Sequence, residues 1–258
     1  MDGVSVKRHD HVAEIVLDRP DALNALSTSM AERLARVCEE VARESRVRAV
    51  VLSGAGERAF CVGADLKERG GFSDADMLRQ RGVFRAAFGG VLNLPQPTIA
   101  AVHGYALGGG CEFALSCDLI VADETAVFGL PETSVGLVPG GGGTQLALRR
   151  LGPSAAADLI FTARRLRIDE AEGLGLVNRR VAAGRAAEET CALAESVAAN
   201  SPTGVRAAKR ALRQGAGVAL AVGLEVEDSA WRTAAFSADR REGIAAFNEK
   251  RPPAWPGD

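Results

Sequence analysis

Aromatic residues are scarce in this chain: nine Phe, two Trp and one Tyr among 258 residues. That is too few for a row of base-stacking platforms. No excess of positive charge is present either. Lys and Arg number 31 against 33 Asp and Glu, a formal net charge of -2. Nucleic-acid binding usually needs a basic field, so both absences argue against it. Three His and five scattered Cys (Cys38, Cys61, Cys111, Cys117, Cys191) form no CxxC pair and no evident metal-ligand set. The expectation is no metal, mostly buried thiols and a reducing compartment. No apolar run approaches the roughly 18 residues of a membrane span. The N-terminal MDGVSVKRHDHV has no apolar signal region. A cytoplasmic chain with neither membrane nor nucleic-acid partner is expected.

What remains is ordinary globular composition, with 47% hydrophobic and 25% charged residues. This is ample for one large domain, alone or with a small appendage. Val12 to Asp18 and Val47 to Leu52 read as strands closed by turn residues. Between them, Met30, Leu34, Val37, Cys38 and Val41 recur at helical spacing, with Ser29 and Glu32 as a capping box. Ala75 to Leu92 reads as a longer helix ended by Pro95 and Pro97, with Val83, Phe84, Ala87, Phe88 and Val91 on its apolar face. Thr98 to His103, Leu119 to Ala122 and Ala126 to Gly129 are strand-like. Gly152-Pro153 reads as a helix start. From Arg185 onward nearly everything is helical, broken at Ser201-Pro202 and Gly215 to Gly217. Strands alternate with helices for two thirds of the chain, and helices fill the rest. The pattern is an α/β core with a helical C-terminal region.

Two glycine runs stand out, in GYALGGGCEF (Gly104 to Phe113) and in PGGGG (Pro139 to Gly143). A helix beginning near Gly109 would offer unpartnered N–H groups and a dipole that favours negative charge. Without β-carbons, a ligand oxygen can approach closely. The run is read as close helix packing, a phosphate cradle or an oxyanion hole. No GxxxxGK[ST] and no GxGxxG after the first strand is present, so the phosphate reading is weak. The turn Cys61-Val62-Gly63-Ala64 follows a strand, where a second oxyanion donor could sit. Two carboxylates complete the pattern. Glu112 lies in the first turn of the helix, and Glu132 follows Leu130-Pro131 in an apolar loop. Lys and Arg are absent from Ala100 through Leu148, so neither acid has a cationic neighbour in sequence. Such a pair can share a proton and hold a water between them. Read singly, Glu112 is equally a surface or capping residue.

These residues resemble the crotonase family, the enoyl-CoA hydratases and isomerases. The resemblance runs through IVLDRPDALNALS (Ile15 to Ser27) and VVLSGAGERAFCVGADLKE (Val50 to Glu68). It continues through Pro97 to Gly152, LRIDEAEGLGLVNRRV (Leu166 to Val181) and SADRREGIAAFNEKRPPAW (Ser237 to Trp255), so essentially the whole chain is covered. It implies an α/β spiral of β-β-α repeats with a helical C-terminal trimerisation region. Residues 1–195 would form the core with the acyl-CoA site, and residues 196–258 the helical region. It implies an oxyanion hole from the N–H groups of Ala64 and Gly109, gripping a thioester carbonyl. Glu112 would act as base toward water and Glu132 as acid in reversible syn addition to a trans-2-enoyl-CoA. Coenzyme A would enter only as part of the substrate, with no permanently bound cofactor. Contacts to it would come from Ala22, Ala64, Asp65, Leu66 and Lys67, and from Phe247 and Lys250 reaching a neighbouring subunit. A homotrimer, or a homohexamer built from two trimers, is implied.

The sequence departs from the family pattern in places. Asp18 and Asp21 stand where relatives often carry Asn, and Lys or Glu. An acid at 21 would weaken CoA-phosphate binding unless it points away. Leu146 replaces an arginine common after GGTQ, with Arg149 and Arg150 nearby. Two alternatives stay open: a double-bond isomerase or another acyl-CoA lyase or hydrolase of this fold, and a non-catalytic RNA- or protein-binding relative. Acyl chain length is not legible. The helix over residues 75–92 and the C-terminal helices are expected to line the acyl tunnel.

Overall fold

The structure is a computed structural model that describes residues 3–258. Chain order begins with a hairpin, β1 (Val4–His9) and β2 (Val12–Leu17), then α1 (Thr28–Arg43). Next come β3 (Ala49–Gly54), β4 (Ala59–Cys61), α2 (Leu66–Arg69) and α3 (Asp74–Leu92). The pattern repeats as β5 (Thr98–Val102), β6 (Tyr105–Leu107) and α4 (Gly109–Ser116), then β7 (Leu119–Asp123), β8 (Val127–Gly129) and α5 (Gly143–Phe161). β9 (Arg165–Arg167), α6 (Ile168–Gly173), β10 (Arg179–Val181) and α7 (Ala186–Ala198) follow. Helices α8 (Pro202–Gly215), α9 (Leu220–Ala235) and α10 (Ala238–Glu249) complete the chain.

Each turn of the repeat gives one strand to each of two sheets. The larger has the order β1-β2-β3-β5-β7-β10, the smaller β4-β6-β8-β9. Only the β1–β2 hairpin and the β8–β9 pair are antiparallel. This is the spiral of β-β-α units that the resemblance implies. The central strands are buried on both faces and read as near-continuous apolar runs, as parallel strands do. Strand β2 carries one buried acid, Glu14, which accepts a hydrogen bond from Ser53 Oγ at 2.6 Å. The main core lies between the sheets and α1, α3, α4 and α5. The outer face of the larger sheet is covered by Leu193, Ala194 and Ala198 of α7. A boundary at 195/196 thus falls inside a helix that packs on the sheet. The helices that leave the sheet start at Pro202.

Two local readings need correction. The cap of α1 is Ser27, whose Oγ accepts from Met30 N at 3.2 Å, and not Ser29. The helix starts earlier because Leu26 is already fixed: its N–H donates to Gly63 O at 2.7 Å. Gly152, at φ 77° and ψ 170°, is non-helical and divides α5 in two, so a second helical segment starts at Pro153 as expected. The amphipathic β1 was missed in the charged N-terminal segment. By contrast α3 begins one residue before its expected start, with Ser73 and Asp76 forming a reciprocal capping box.

One polar clamp ties the C-terminal helices to the core. Asp118, between α4 and β7, accepts from Arg213 Nε and Nη2 at 2.9 and 2.7 Å and from Lys209 Nζ at 2.7 Å. Thr98 adds its N–H at 2.7 Å and its hydroxyl at 3.0 Å. Burial alone would raise the Asp118 pKa, but the two cations of α8 outweigh it and hold the carboxyl below its usual range. Beyond this clamp, α8 to α10 expose Leu212, Leu220, Val222, Leu224, Trp231 and Phe236.

Candidate active site

The site grows from two adjacent parallel strands. β4 and β6 pair side by side, so the turns that leave them meet. Gly63, at φ 87°, turns the chain after β4, and Gly108, at φ 52°, does so after β6. A β-carbon on Gly63 would stand 2.8 Å from Gly109 N, and one on Gly109 would stand 3.9 Å from Ala64 N. The two turns are therefore in contact. Neither the Ala64 nor the Gly109 N–H finds an acceptor among the described residues. Two free donors on touching turns, one at a helix N-terminus, are what an oxyanion hole requires. Gly110 explains the third glycine of the run. A β-carbon there would lie 1.9 Å from Cys61 O, so only glycine lets α4 sit against the end of β4.

The PGGGG run has a different task. Glu112 is buried, and its Oε1 accepts from Gly141 N and Gly143 N, both at 2.7 Å. A β-carbon on Gly143 would come within 2.9 Å of that oxygen. The loop is a cradle for the Glu112 carboxylate, and the surface or capping alternative for Glu112 is excluded. Glu132 sits in the 3-10 turn Pro131–Val135, where its Oε2 is buried with no hydrogen-bond partner. A β-carbon on Gly108 would be 3.1 Å from Glu132 Oε1, which places this acid beside the oxyanion turn.

The two acids have different electrostatics. Burial, and then the neighbouring Glu112 charge, push the Glu132 carboxyl up to about 7. Burial also raises Glu112, but the Gly143 and Gly141 amides and the Arg81 charge oppose that shift. Hydrogen bonds to the charged form favour it. The pair is arranged with Glu112 as the natural carboxylate and Glu132 as the natural proton holder.

A cavity of about 420 Å³ joins these parts. It is lined by Ala64, Gly109, Glu112 and Glu132, by Leu66, and by Met77, Phe84 and Phe88 of α3. The expectation that α3 borders the acyl tunnel agrees with this. No residue of α8 to α10 lines the cavity within one chain. A larger recess of about 670 Å³ lies along the smaller sheet beside Tyr105 and Arg165 and contains neither acid. Among the described residues no group of three or more His, Cys, Asp or Glu could hold a metal ion, and no helix is long and apolar enough to cross a membrane.

The remaining predicted residues fall into three places. Leu66 is exposed at the cavity wall, and Lys67 is exposed beside it in α2. The Asp65 carboxylate is already engaged. It caps α2 through Lys67 N and Glu68 N and pairs with Arg19 at 3.1 Å, while the Asp65 N–H donates to Leu26 O and the Asp65 carbonyl accepts from Arg69 N, so side chain and backbone are both engaged. Ala22 ends the 3-10 turn Pro20–Ala22, which an isolated bridge between Leu26 and Ala64 ties to the oxyanion turn. Phe247 and Lys250 lie at the end of α10, both exposed and away from this chain's cavity.

Sequence reasoning missed several supports. Buried Asn24 donates to the carbonyls of Ala55, Ala59 and Phe60 at 2.9 to 3.2 Å and so fixes the turn before β4's end. Arg150 donates to the carbonyls of Cys117 and Asp118 at 2.6 and 3.0 Å, closing the C-terminal end of α4. The absence of cations near the acids held only along the sequence. In the fold, Arg69 of α2 and Arg81 of α3 line the same cavity. Arg81 was readable: it lies three and seven residues before Phe84 and Phe88, on the same helix face. Burial pushes the thiols of Cys38, Cys61, Cys111 and Cys117 up to about 12, which agrees with packing roles.

Comparison with known proteins agrees with this geometry. The family model described as Enoyl-CoA hydratase/isomerase matches residues 7–258. The human enoyl-CoA hydratase domain-containing protein 2, mitochondrial, is 42% identical, with 95% of this chain and 86% of that protein covered. The short-chain-enoyl-CoA hydratase of Clostridium acetobutylicum is 36% identical, with 97% and 96% covered. The crystal structure of enoyl-CoA hydratase from Bacillus anthracis superposes with a TM-score of 0.96 at 41% identity, covering 99% of this chain and all of that one. This chain belongs to the enoyl-CoA hydratase/isomerase family.

Proposed function

We propose that the protein is an enoyl-CoA hydratase that adds water reversibly to a trans-2-enoyl-CoA to give a 3-hydroxyacyl-CoA. The observation that carries this reading is the convergence of two unlike glutamates on one cavity beside two free amides. The thioester carbonyl accepts from the Ala64 and Gly109 N–H groups, which polarises the conjugated double bond. Glu112, oriented by its glycine cradle, takes a proton from water as the oxygen adds at C3. Glu132 delivers its proton to C2 on the same face, giving syn addition. Charge that gathers on the thioester oxygen is carried by the two amides. One such donor is typically worth about 3–4 kcal/mol. The reverse reaction exchanges the roles of the acids.

The substrate enters as a thioester, and coenzyme A is part of it. The Ala22 to Leu66 surface and the exposed Lys67 would hold the CoA portion, with the lysine acting as a point charge on phosphate. The exposed apolar faces of α8 to α10 support assembly into a homotrimer or homohexamer. In that assembly Phe247 and Lys250 would reach a neighbour's CoA.

The test is loss of the conjugated enoyl-thioester absorbance with crotonyl-CoA and longer analogues. Wild type is expected to bleach the band, and Glu112→Gln and Glu132→Gln to lower the rate at least about 100-fold. Intact hydration in Glu112→Gln would sink the assignment. Faster turnover of a 3-enoyl-CoA than of its conjugated isomer would move it to a double-bond isomerase.

A further inference from the structure

We propose that the cavity selects enoyl thioesters whose acyl chain ends in a carboxylate, and that Arg69 is the residue that binds it. This rests on the hydratase reading and deepens it. Arg69 closes α2 and lines the cavity that holds Glu112 and Glu132. Its guanidinium lies over the Phe84 ring, 5.2 Å from the centroid. Its Nε donates to Gln80 Oε1 at 2.7 Å. Gln80 is itself buried and fixed: its Nε2 donates to Thr28 Oγ1 at 2.8 Å and to Glu68 Oε2 at 3.1 Å. Glu68 in turn accepts from Thr28 N at 2.9 Å. The guanidinium is therefore held at one nitrogen and stacked on one face.

Its other two nitrogens are uncommitted. Among the described residues, Nη1 and Nη2 of Arg69 have no hydrogen-bond acceptor, and no carboxylate lies within ion-pair distance of the side chain. Arg81 differs. It is exposed, and its Nη1 donates to the Gly140 carbonyl at 2.5 Å, bracing the loop that cradles Glu112. The carboxylates whose charges reach Arg69 are Glu68, which bonds Gln80 instead, and Glu132, the proton holder, so neither supplies an acceptor to its two free nitrogens.

A carboxylate meets that demand. Its two oxygens match the paired N–H fork of a guanidinium. An apolar acyl tail would displace water from those donors and return no acceptor, which costs free energy. A fixed, half-buried guanidinium in the acyl wall thus discriminates by charge where a hydrocarbon wall would discriminate only by size.

The experiment compares glutaconyl-CoA with its neutral isostere 5-methylhex-2-enoyl-CoA. In wild type the carboxylated substrate is expected to have the higher kcat/KM, by about 10-fold or more. Arg69→Gln is expected to abolish or invert that ratio, and Arg69→Lys to keep part of it. A wild-type ratio of one or below overturns the proposal. So does a Gln variant that slows both substrates equally, since that is the signature of a purely structural arginine. Calorimetric binding of glutaryl-CoA against 5-methylhexanoyl-CoA repeats the comparison without turnover. If no thioester is hydrated but glutaryl-CoA still binds more tightly through Arg69, the hydratase reading fails and the carboxylate site stands. If hydration proceeds with no preference in either assay, the carboxylate site fails alone.

Discussion

Glu132→Gln should disable the enzyme and stabilise the protein at alkaline pH. The Glu132 carboxyl is raised from an ordinary 4.5 to about 7 by burial and by Glu112. Below about 4.5 it is neutral in folded and unfolded chains alike. Between there and about 7 the folded protein keeps a proton that the unfolded chain has released, so stability falls as pH rises through this window. At about 1.4 kcal/mol per tenfold change, the full difference is about 3 kcal/mol. The side chain retains some solvent contact, so half of that, about 1.5 kcal/mol, is the working figure. For a chain of this length it corresponds to about 3–6 °C in Tm. The neutral amide removes the ionised form that causes the loss. The assay is urea or thermal unfolding of wild type and variant at about pH 5 and about pH 8.5, at one protein concentration. The quantity of interest is the difference between the two pH-dependent losses, in which every titrating group that does not interact with Glu132 cancels. The wild type should lose more stability on going to high pH. Parallel losses in the two proteins would refute the reasoning, because they would mean that Glu132 folds with an ordinary acidity. The same ionisation should appear in catalysis as a fall in hydration rate above about pH 7, as the proton donor is depleted.

Two further perturbations probe the scaffold. Gly110→Ala forces a β-carbon to 1.9 Å from Cys61 O and must push α4 off β4, separating the two oxyanion turns. Crotonyl-CoA hydration should drop at least about 100-fold, whereas Gly71→Ala, with open space around it, should change little in the same assay. Asp118→Asn removes the charge that Lys209 and Arg213 share and leaves two cations facing a neutral amide. A loss of about 3–5 kcal/mol is expected in urea unfolding, with early proteolytic cleavage in α8 to α10; a change below about 1 kcal/mol would show that the clamp is incidental.

The parts of this structure that were legible in the sequence are those whose cause is local. The helix α3 was readable because its apolar period and its end at Pro95 depend on nearby residues alone. The two touching turns at Gly63 and Gly108 were readable because glycine requirements are printed in the composition of the turn. β1 was not, because in this edge strand Lys7, Arg8 and His9 are all exposed, so it buries too little to show alternation. The purpose of PGGGG was hidden for another reason. Its amides meet a carboxylate 29 and 31 residues away, and that meeting exists only after β7 and β8 return the chain. Arg69 was invisible as a partner of the acids because sequence distance hides proximity across a spiral, whereas Arg81 shares a helix face with Phe84 and Phe88. The Asp118 clamp spans 95 residues to Arg213 and leaves no local mark at all.

The short helix α4 gives these separate observations a common logic. It carries the proposed oxyanion donor, Gly109, and the proposed base, Glu112, three residues apart. A rise of about 1.5 Å per residue sets their separation along the axis at about 4.5 Å, whatever the surrounding loops do. What the rest of the fold must supply is the placement of that helix and the orientation of the carboxylate. Gly110 against Cys61 O fixes its start, and Arg150 on the carbonyls of Cys117 and Asp118 fixes its end. The Gly141 and Gly143 amides then turn the Glu112 carboxylate and oppose the rise in its pKa that burial causes. These contacts come from the turns of the spiral on either side of α4, the one that carries β4 and the one that carries α5. One amide and one acid thus sit on the eight residues of α4, their counterparts Ala64 and Glu132 sit on the neighbouring turns, and the precision of their position is distributed over the core.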